Sequence, residues 1–432
     1  MSDGIGLAEK MLGLSGLVVT DVEDCPGEVV ISVQSTKTKA TCPSCRRRAQ
    51  AQDRVEVHLR DLHCFGRPAR LVLRKRRWRC RTKGCLRKTW TEKLAGIAPR
   101  QVLTIRAGTE VTRQVGQLCR SVASVATEYG VGSDTVWAAV EAHGRPLVDD
   151  PSRVGAVRAL GVDEHTYLSA KPDHATVYAT SLVDLDRRIV IDLFEGKSAA
   201  KLRRWSARRP PGWRRGVKVV ALDLTDTYRS GLRPHFDHAR RVADPFHVTK
   251  AANRTLDQVR RRVQNETLGH RGRKHDPLYG VRKLLLKGNE RLDDRGRDKL
   301  FEGLRLGDPN FEVLRAWAAK ENVRSVYLTA NVKVARKILD DVIEACRSDK
   351  VPEVRTLGRT LRRWRTEILN HHRTGASNGP TEGTNFCAKQ VKRAGRGFTN
   401  FDHYKLRVLL HAGGVDWPRP ICPPPITSTR PH

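Results

Sequence analysis

Val157-Arg-Ala-Leu-Gly-Val-Asp163 and Val217-Lys-Val-Val-Ala-Leu-Asp223 are two short apolar runs, and each ends on an aspartate. Between them the alternation predicts strands over 175–184 and 187–193, joined at Asp184-Leu185-Asp186, and then a helix over 198–209. After the second run come a helical or irregular stretch over 225–236 and a last strand over 240–243, which leads into Asp244-Pro245-Phe246-His247. The order is strand, strand, strand, helix, strand, helix, strand. It places the chain among mixed α/β proteins.

That order is the one of a ribonuclease-H-like core, in which the first and fourth strands lie side by side. Asp163 and Asp223 would then end on neighbouring strands and point at one volume. Two carboxylates held that close cannot both ionise cheaply unless a cation sits between them. Mg2+ suits them, because it accepts one or two carboxylates and keeps positions for water and phosphate oxygens. A pair of Mg2+ or Mn2+ ions could serve both the attacking and the leaving oxygen of a phosphoryl transfer. A third acid is expected on a later helix, and Ser377-Asn-Gly-Pro-Thr-Glu382-Gly-Thr-Asn385 offers Glu382 near a helix start. Asn385, Lys389 and Lys392 lie within a quarter-turn of its direction and suit DNA phosphates. The Arg-rich amphipathic stretch between these pieces reads as a helical insertion. Asp226 competes with Asp223 for the second position, and Asp244 is a further candidate.

Composition points to the same partner. The 432 residues carry 81 Lys and Arg against 47 Asp and Glu, a net charge of +34. Such an excess opposes compaction and fits a polyanion, with nucleic acid first. No apolar run approaches the roughly 20 residues of a membrane span, and the N-terminus has neither a basic leader nor a continuous apolar stretch. A secreted or membrane enzyme is therefore not expected, and the ten cysteines belong in a reducing compartment. Cys42-Pro-Ser-Cys45 and Cys80-Arg-Thr-Lys-Gly-Cys85 are paired knuckles whose four thiolates can close a structural zinc site. Stretches 54–58 and 69–78 alternate like the strands of a zinc ribbon. From Arg74 to Lys88 nine of fifteen residues are basic, Arg76 and Arg77 among them, which suggests a phosphate-tracking face.

Arg120 to Ala139 has the spacing of a helix-turn-helix: Val122, Val125, Ala126 and Tyr129 on one face, Gly130 at the turn, and Ser133 or Asp134 capping a second helix. Ser133, Asp134, Thr135 and Trp137 would face a major groove at the start of the second helix. The chain thus divides into an N-terminal segment (1–40) without a readable pattern, a zinc ribbon (41–95) and a helix-turn-helix domain (96–150). The core's first part (155–250), the helical insertion (251–370), the Glu-bearing part of the core (371–412) and a Pro-rich tail (413–432) follow.

Read in order, CPSC, CRTKGC, RKTWTE, GVDEH, VVALDLTDTY, RRVADPFHVTKAANRTLDQVRR and SNGPTEGTNFCAKQVKRAGRGFTNFDHYKLR resemble the DDE transposases of bacterial insertion sequences, specifically the ISL-three family. The resemblance runs over residues 40–410. It implies Asp163, Asp223 and Glu382 as a catalytic triad, with Asp244 and His247 in support. It implies that the zinc ribbon and helix-turn-helix read the element's terminal inverted repeats, and that the Mg2+-bound core frees a 3′-hydroxyl and joins it to target DNA. A homodimer or larger assembly on double-stranded DNA and a cytoplasmic, nucleoid-associated location follow from the class. Two rivals share the sequence features. One is a transposase-derived DNA-binding regulator without catalysis, the other a metal-dependent nuclease without strand transfer.

Overall fold

Burial alternates with period two along the middle of the strand Arg67–Arg79. From Ala69 to Lys75 the buried positions Ala69, Leu71, Leu73 and Lys75 alternate with half-buried Arg70 and Val72 and exposed Arg74, and Trp78 is buried further along. The structure is a computed structural model that describes Gly6, Glu9 and residues 11–417. The Pro-rich tail beyond 417 lies outside the described residues. Two units divide the chain: Met1–Arg153 with Cys387–His432, and Val154–Phe386.

The first unit opens with five strands, β1 (Leu17–Cys25), β2 (Glu28–Ser35), β3 (Gln50–Cys64), β4 (Arg67–Arg79) and β5 (Thr89–Thr91). Their order is β1-β2-β4-β3, with β5 on β4. The ribbon strands are longer than the alternation suggested, and the hairpin β1–β2 comes from the segment that carried no pattern. β1 hides from sequence reading because only Val19 is buried along it. Phe65 and Gly66 join β3 to β4 with φ of 51° and 78°, the left-handed pair that matches hairpin twist. Val33, Leu59, Leu71 and Leu73 fill the core beneath.

Three helices follow, α1 (Ile105–Gly116), α2 (Val122–Tyr129) and α3 (Ser133–Asp149). The side chains of Thr104 and Ser121 accept backbone N–H groups at the starts of α1 and α2. Gly130 ends α2 in the left-handed region at φ 61°. The N-cap of α3 is Gly132, without a side-chain bond. Neither Ser133 nor Asp134 caps it, contrary to expectation; both stand exposed in its first turn.

In the second unit β6 (Ala159–Leu168), β7 (Val177–Asp184), β8 (Ile189–Glu195), β9 (Val219–Leu222) and β10 (Arg240–Ala243) form one sheet in the order β10-β9-β6-β7-β8. β9 pairs in parallel with both β6 and β10, and β7 is antiparallel to β6 and β8. Helices α4 (Ala199–Ala207) and α5 (Asp226–Phe236) flank β9 in the chain. β6 does not stop at Asp163: it runs on to Leu168 because β7 keeps pairing with it, Asp163 facing Ser181.

Helices make up the rest: α6 (Pro245–Leu268), α7 (Asp294–Gly307), α8 (Glu312–Ser325), α9 (Val332–Arg347), α10 (Pro352–Arg363), α11 (Arg365–Thr374), α12 (Gly379–Ala394) and α13 (Phe401–Ala412). α6 starts at Pro245, ahead of the expected boundary, since proline with its preset φ suits the first helical position after Asp244. One apolar cluster runs from Leu160, Val220 and Leu222 through Leu256 and Val263 to Trp317, Leu339 and Trp364. The helices therefore share a core with the sheet. Arg262 ties three of them together, donating to Glu353 (2.7 Å) and Glu312 (3.1 Å).

Candidate active site

Parallel pairing of β6 with β9 ends at Val162 and Leu222, so the next residues, Asp163 and Asp223, stand at the same level, Asp223 just past the end of β9 and Asp163 still paired with β7. Both are buried. One ligand atom each from Asp163, Asp223 and His247 lie within 4.8 Å of one another, and the same holds for Asp244, His247 and Glu382. His247, in the first turn of α6, is common to both sets, and its Nε2 is 2.9 Å from Asp223 Oδ1. Asp226 takes no part: it is exposed at the start of α5 and pairs with Arg363 at 3.1 Å.

Asp163 is held at both oxygens. The Glu164 N–H donates to Oδ1 (2.8 Å) and Asn385 Nδ2 donates to Oδ2 (2.8 Å). Asn385 is oriented in turn by Ser181 Oγ, which donates to its Oδ1 at 3.0 Å, with His165 Nδ1 at 3.1 Å. Burial, followed by the charge of Asp223, pushes the Asp163 carboxyl up to about 7. Burial alone would depress His247, but its contact with Asp223 and the charges of Asp163 and Asp244 outweigh that and raise it.

The turn before α12 is anchored from two sides. The Asn378 N–H donates to Asp244 Oδ1 (2.8 Å), and Asn378 Nδ2 reaches the Val162 carbonyl (3.4 Å). Thr381 Oγ1 donates to Asn378 Oδ1 (2.6 Å). This turn crosses β6 at Gly161, where a Cβ would lie 2.3 Å from Thr381 Oγ1 and 2.9 Å from Asn378 Oδ1. Only glycine admits so close an approach. Glu382, in the first turn of α12, is thereby fixed beside Asp244 and His247 while remaining exposed.

This donor set fits a hard divalent cation. It is rich in carboxylate oxygen, and Asp244 Oδ2 is buried without a hydrogen-bond partner. An orphaned buried acceptor of that kind is costly unless a cation or donor meets it.

Cys42, Cys45, Cys80 and Cys85 form the second cluster, in the other unit. Their sulfurs stand 3.7 Å (Cys42–Cys85) and 3.6 Å (Cys45–Cys80) apart. Four thiolates at about 2.3 Å around a tetrahedral zinc stand about 3.8 Å from one another, so the cluster suits structural zinc. The backbone N–H of Arg47 and the Thr82 side chain draw Cys45 down to about 6, which favours the ligating thiolate.

Several residues expected to meet DNA are placed differently. Asn385 is buried and its amide is committed to Asp163, so it positions an acid and presents nothing to a phosphate. Trp137 packs on His403, ring centroids 4.2 Å apart, and does not project from α3. Ser133 is exposed and Thr135 half-buried. Arg77 is engaged by Asp53 through two hydrogen bonds, and Arg76 lies over the buried Trp78 ring at 5.6 Å. Arg74, Arg79, Arg81, Lys83, Arg87 and Lys88 are the exposed members of that basic run. Lys389 is exposed and Lys392 half-buried. Asn378, Ser181 and Gly161 carry no spacing signal that marks them as parts of the site.

Residues 160–408, more than half of the chain, match the transposase family of the ISL3 DDE class. The chain belongs to the ISL3 family of DDE transposases. It is thus a phosphoryl-transfer enzyme acting on DNA. Residues 38–85 of the transposase match the zinc finger of transposases IS204/IS1001/IS1096/IS1165, which makes the four-cysteine segment a zinc ribbon. The transposase for insertion sequence element IS1001 of Bordetella parapertussis is 26% identical over 413 residues, covering 93% of this chain and 97% of that one. The transposase for insertion sequence element IS1557 of Mycobacterium tuberculosis is 27% identical over 269 residues, 57% of this chain and 58% of that one. No helix among the described residues is long and apolar enough to cross a membrane.

Proposed function

We propose that this transposase cuts DNA at the terminal inverted repeats of its own insertion sequence and joins the freed 3′-hydroxyl to target DNA, with Asp163, Asp223 and Glu382 as its catalytic triad. The observation that carries the reading is the meeting of Asp163 and Asp223, side by side at the end of the β6–β9 pairing, with Glu382 fixed nearby through His247 and Asp244. The sheet order, with the first and fourth strands of the unit paired in parallel, supports a ribonuclease-H-like core.

Asp163 and Asp223 would hold one Mg2+ or Mn2+ ion, and Glu382 with Asp244 a second. When bound, such ions neutralise charge on the attacking and leaving oxygens of an in-line displacement. The protein's part is to fix the acids. Asn385 and the Glu164 N–H set the rotation of the Asp163 carboxylate, and His247 does the same for Asp223. Gly161 lets the Asn378–Thr381 turn press Glu382 into place. No serine, tyrosine or cysteine is needed as nucleophile.

End recognition is assigned to the first unit. The zinc ribbon offers exposed Arg74, Arg79, Arg81 and Lys83 to phosphates, and α2 and α3 with their Gly130 turn act as a helix-turn-helix whose exposed Ser133 and Asp134 start the reading helix. Synapsis of two ends calls for a dimer or larger assembly on double-stranded DNA.

The test uses the DNA that flanks the gene, incubated with protein and Mg2+ or Mn2+, with the 3′-hydroxyl ends mapped. Metal-dependent cuts at inverted repeats, followed by joined products, are the expected result. Binding without cuts under either metal would favour a DNA-binding regulator, and cuts never followed by joining would favour a nuclease.

A further inference from the structure

A groove opens beside the carboxylate cluster that none of the chemistry above uses. It begins at Pro245 and Phe246, next to His247, continues along Lys283, Leu286 and Lys287, and ends at Tyr327 and Leu328, enclosing about 790 Å³. The Phe246 ring stands edge-on to that of His247, centroids 5.3 Å apart.

Two properties define its lining. Three apolar side chains are left open to water: Phe246 at 54% exposure, Leu286 at 44% and Leu328 at 76%. Lys283 and Lys287 are exposed and meet no carboxylate among the described residues, whereas the guanidinium of Arg324 is spent on Glu290 (3.0 Å) and Glu321 (2.7 Å). The lysine-bearing wall is held firmly: the buried ammonium of Lys320 donates to the carbonyls of Leu285 (2.8 Å) and Lys287 (2.7 Å). The Tyr327 hydroxyl is buried in the lining without a hydrogen-bond partner.

Duplex DNA would satisfy the lysines but not the apolar groups, because its base faces are stacked out of reach. A protein partner would cover the apolar groups, but lysine is depleted from such contacts. Unpaired nucleotides match both, with π-faces for the apolar surface and phosphates for the ammonium groups. Resting on the cleavage reading above, we infer that this groove receives nucleotides unpaired from the element end beside the scissile phosphate. One base lies against Phe246 and Leu328, and the backbone runs past Lys283 and Lys287. The helical region then shares in catalysis by keeping the end open at the acids.

Phe246→Ala tests this in the full chain. Against wild type, it is expected to cut a fully paired, gene-flanking end about ten- to a hundredfold more slowly, the range of one lost base–aromatic stack. It should cut an end with mismatched terminal pairs at close to the wild-type rate, a rescue that a folding defect would not give. Separately, 5-iodouracil placed at each position around the cleavage site should photocross-link wild type at Phe246, which needs no cutting. Equal slowing on paired and mismatched ends, or cross-links confined to peptides outside the groove, would overturn the inference. So would a Phe246→Ala defect in self-association with DNA cutting unchanged. Wild type that cross-links through Phe246 yet cuts no DNA would uphold the groove while the cleavage reading fell. Wild type that cuts ends without cross-linking there would do the opposite.

Discussion

The four thiols of Cys42, Cys45, Cys80 and Cys85 come from two tight knuckles on one ribbon, whereas the acids Asp163, Asp223, Asp244 and Glu382 come from mid-strand, a strand end and helix starts scattered along the chain. The thiol set is closed: four protein ligands fill a tetrahedron and leave no position for a substrate. The carboxylate set is open, with Glu382 exposed and Asp244 Oδ2 unsatisfied. Their supports differ as well. The thiols are set by their own short loops, while Asp163 depends on Asn385, Ser181 and His165, from β6, β7 and α12. A structural metal needs only local chain geometry. A catalytic one needs a fold to bring its ligands together and a second layer of bonds to aim them.

If that contrast is right, damage to the two clusters should separate cleanly. Asp223→Asn is expected to have the largest effect, at least a thousandfold loss of strand cleavage, since a lost metal ligand removes several kcal/mol of charge stabilisation. Element-end affinity should be nearly unchanged in a mobility-shift assay. A parallel loss of affinity would mean that end binding and chemistry are not divided between the units as proposed. Cys80→Ser should do the reverse. It should lower bound zinc and end affinity together by unfolding the ribbon locally, as metal binding there is folding energy. Zinc content and affinity both at wild-type levels would remove the knuckle assignment.

Legibility in the sequence tracks the same contrast. The knuckles could be read directly because C-x2-C and C-x4-C spacing is itself the geometry. The two apolar runs leading to Asp163 and Asp223 could be read because strand periodicity is local, and their adjacency followed from strand order, but the continuation of β6 past Asp163 could not, since it depends on pairing with β7. Asn385 could not be placed. Its direction relative to Glu382 on the helix was correct, but what stands in that direction is the Asp163 carboxylate, and helical periodicity is silent on it. Trp137 failed for the same reason, since its neighbour His403 lies on α13. Hairpin β1–β2 was missed because β1 buries almost nothing.

Asn385 sharpens the point about supporting bonds. Asn385→Ala leaves every acid in place but frees Asp163 to rotate. The expected outcome is a ten- to hundredfold rise in the Mg2+ concentration needed for half-maximal cutting, the range of roughly one lost outer-shell partner. A fall in maximal rate with the metal dependence unmoved would assign Asn385 to DNA instead. Gly161→Ala attacks the other support. Its Cβ collides with Thr381 and Asn378, so about 1–3 kcal/mol of stability should be lost. The loss would be read as a lower thermal midpoint and should be partly restored by adding Thr381→Ala.

The smallest effect decides a question the sequence left open. Asp226 lies close to Asp223 in the chain and could not be distinguished from it as the second ligand, because both follow the same apolar run. In the fold Asp223 turns into the cluster, while Asp226 begins α5 and faces solvent, where its partner Arg363 is more than half exposed. An exposed ion pair of this kind contributes about 0–1 kcal/mol. Asp226→Asn should therefore shift stability by no more than about 0.5 kcal/mol and leave cleavage within about twofold of wild type. Were it to silence cleavage as Asp223→Asn does, the ligand at the end of β9 would have to be reassigned, and with it the claim that parallel strand pairing sets the distance between the first two acids.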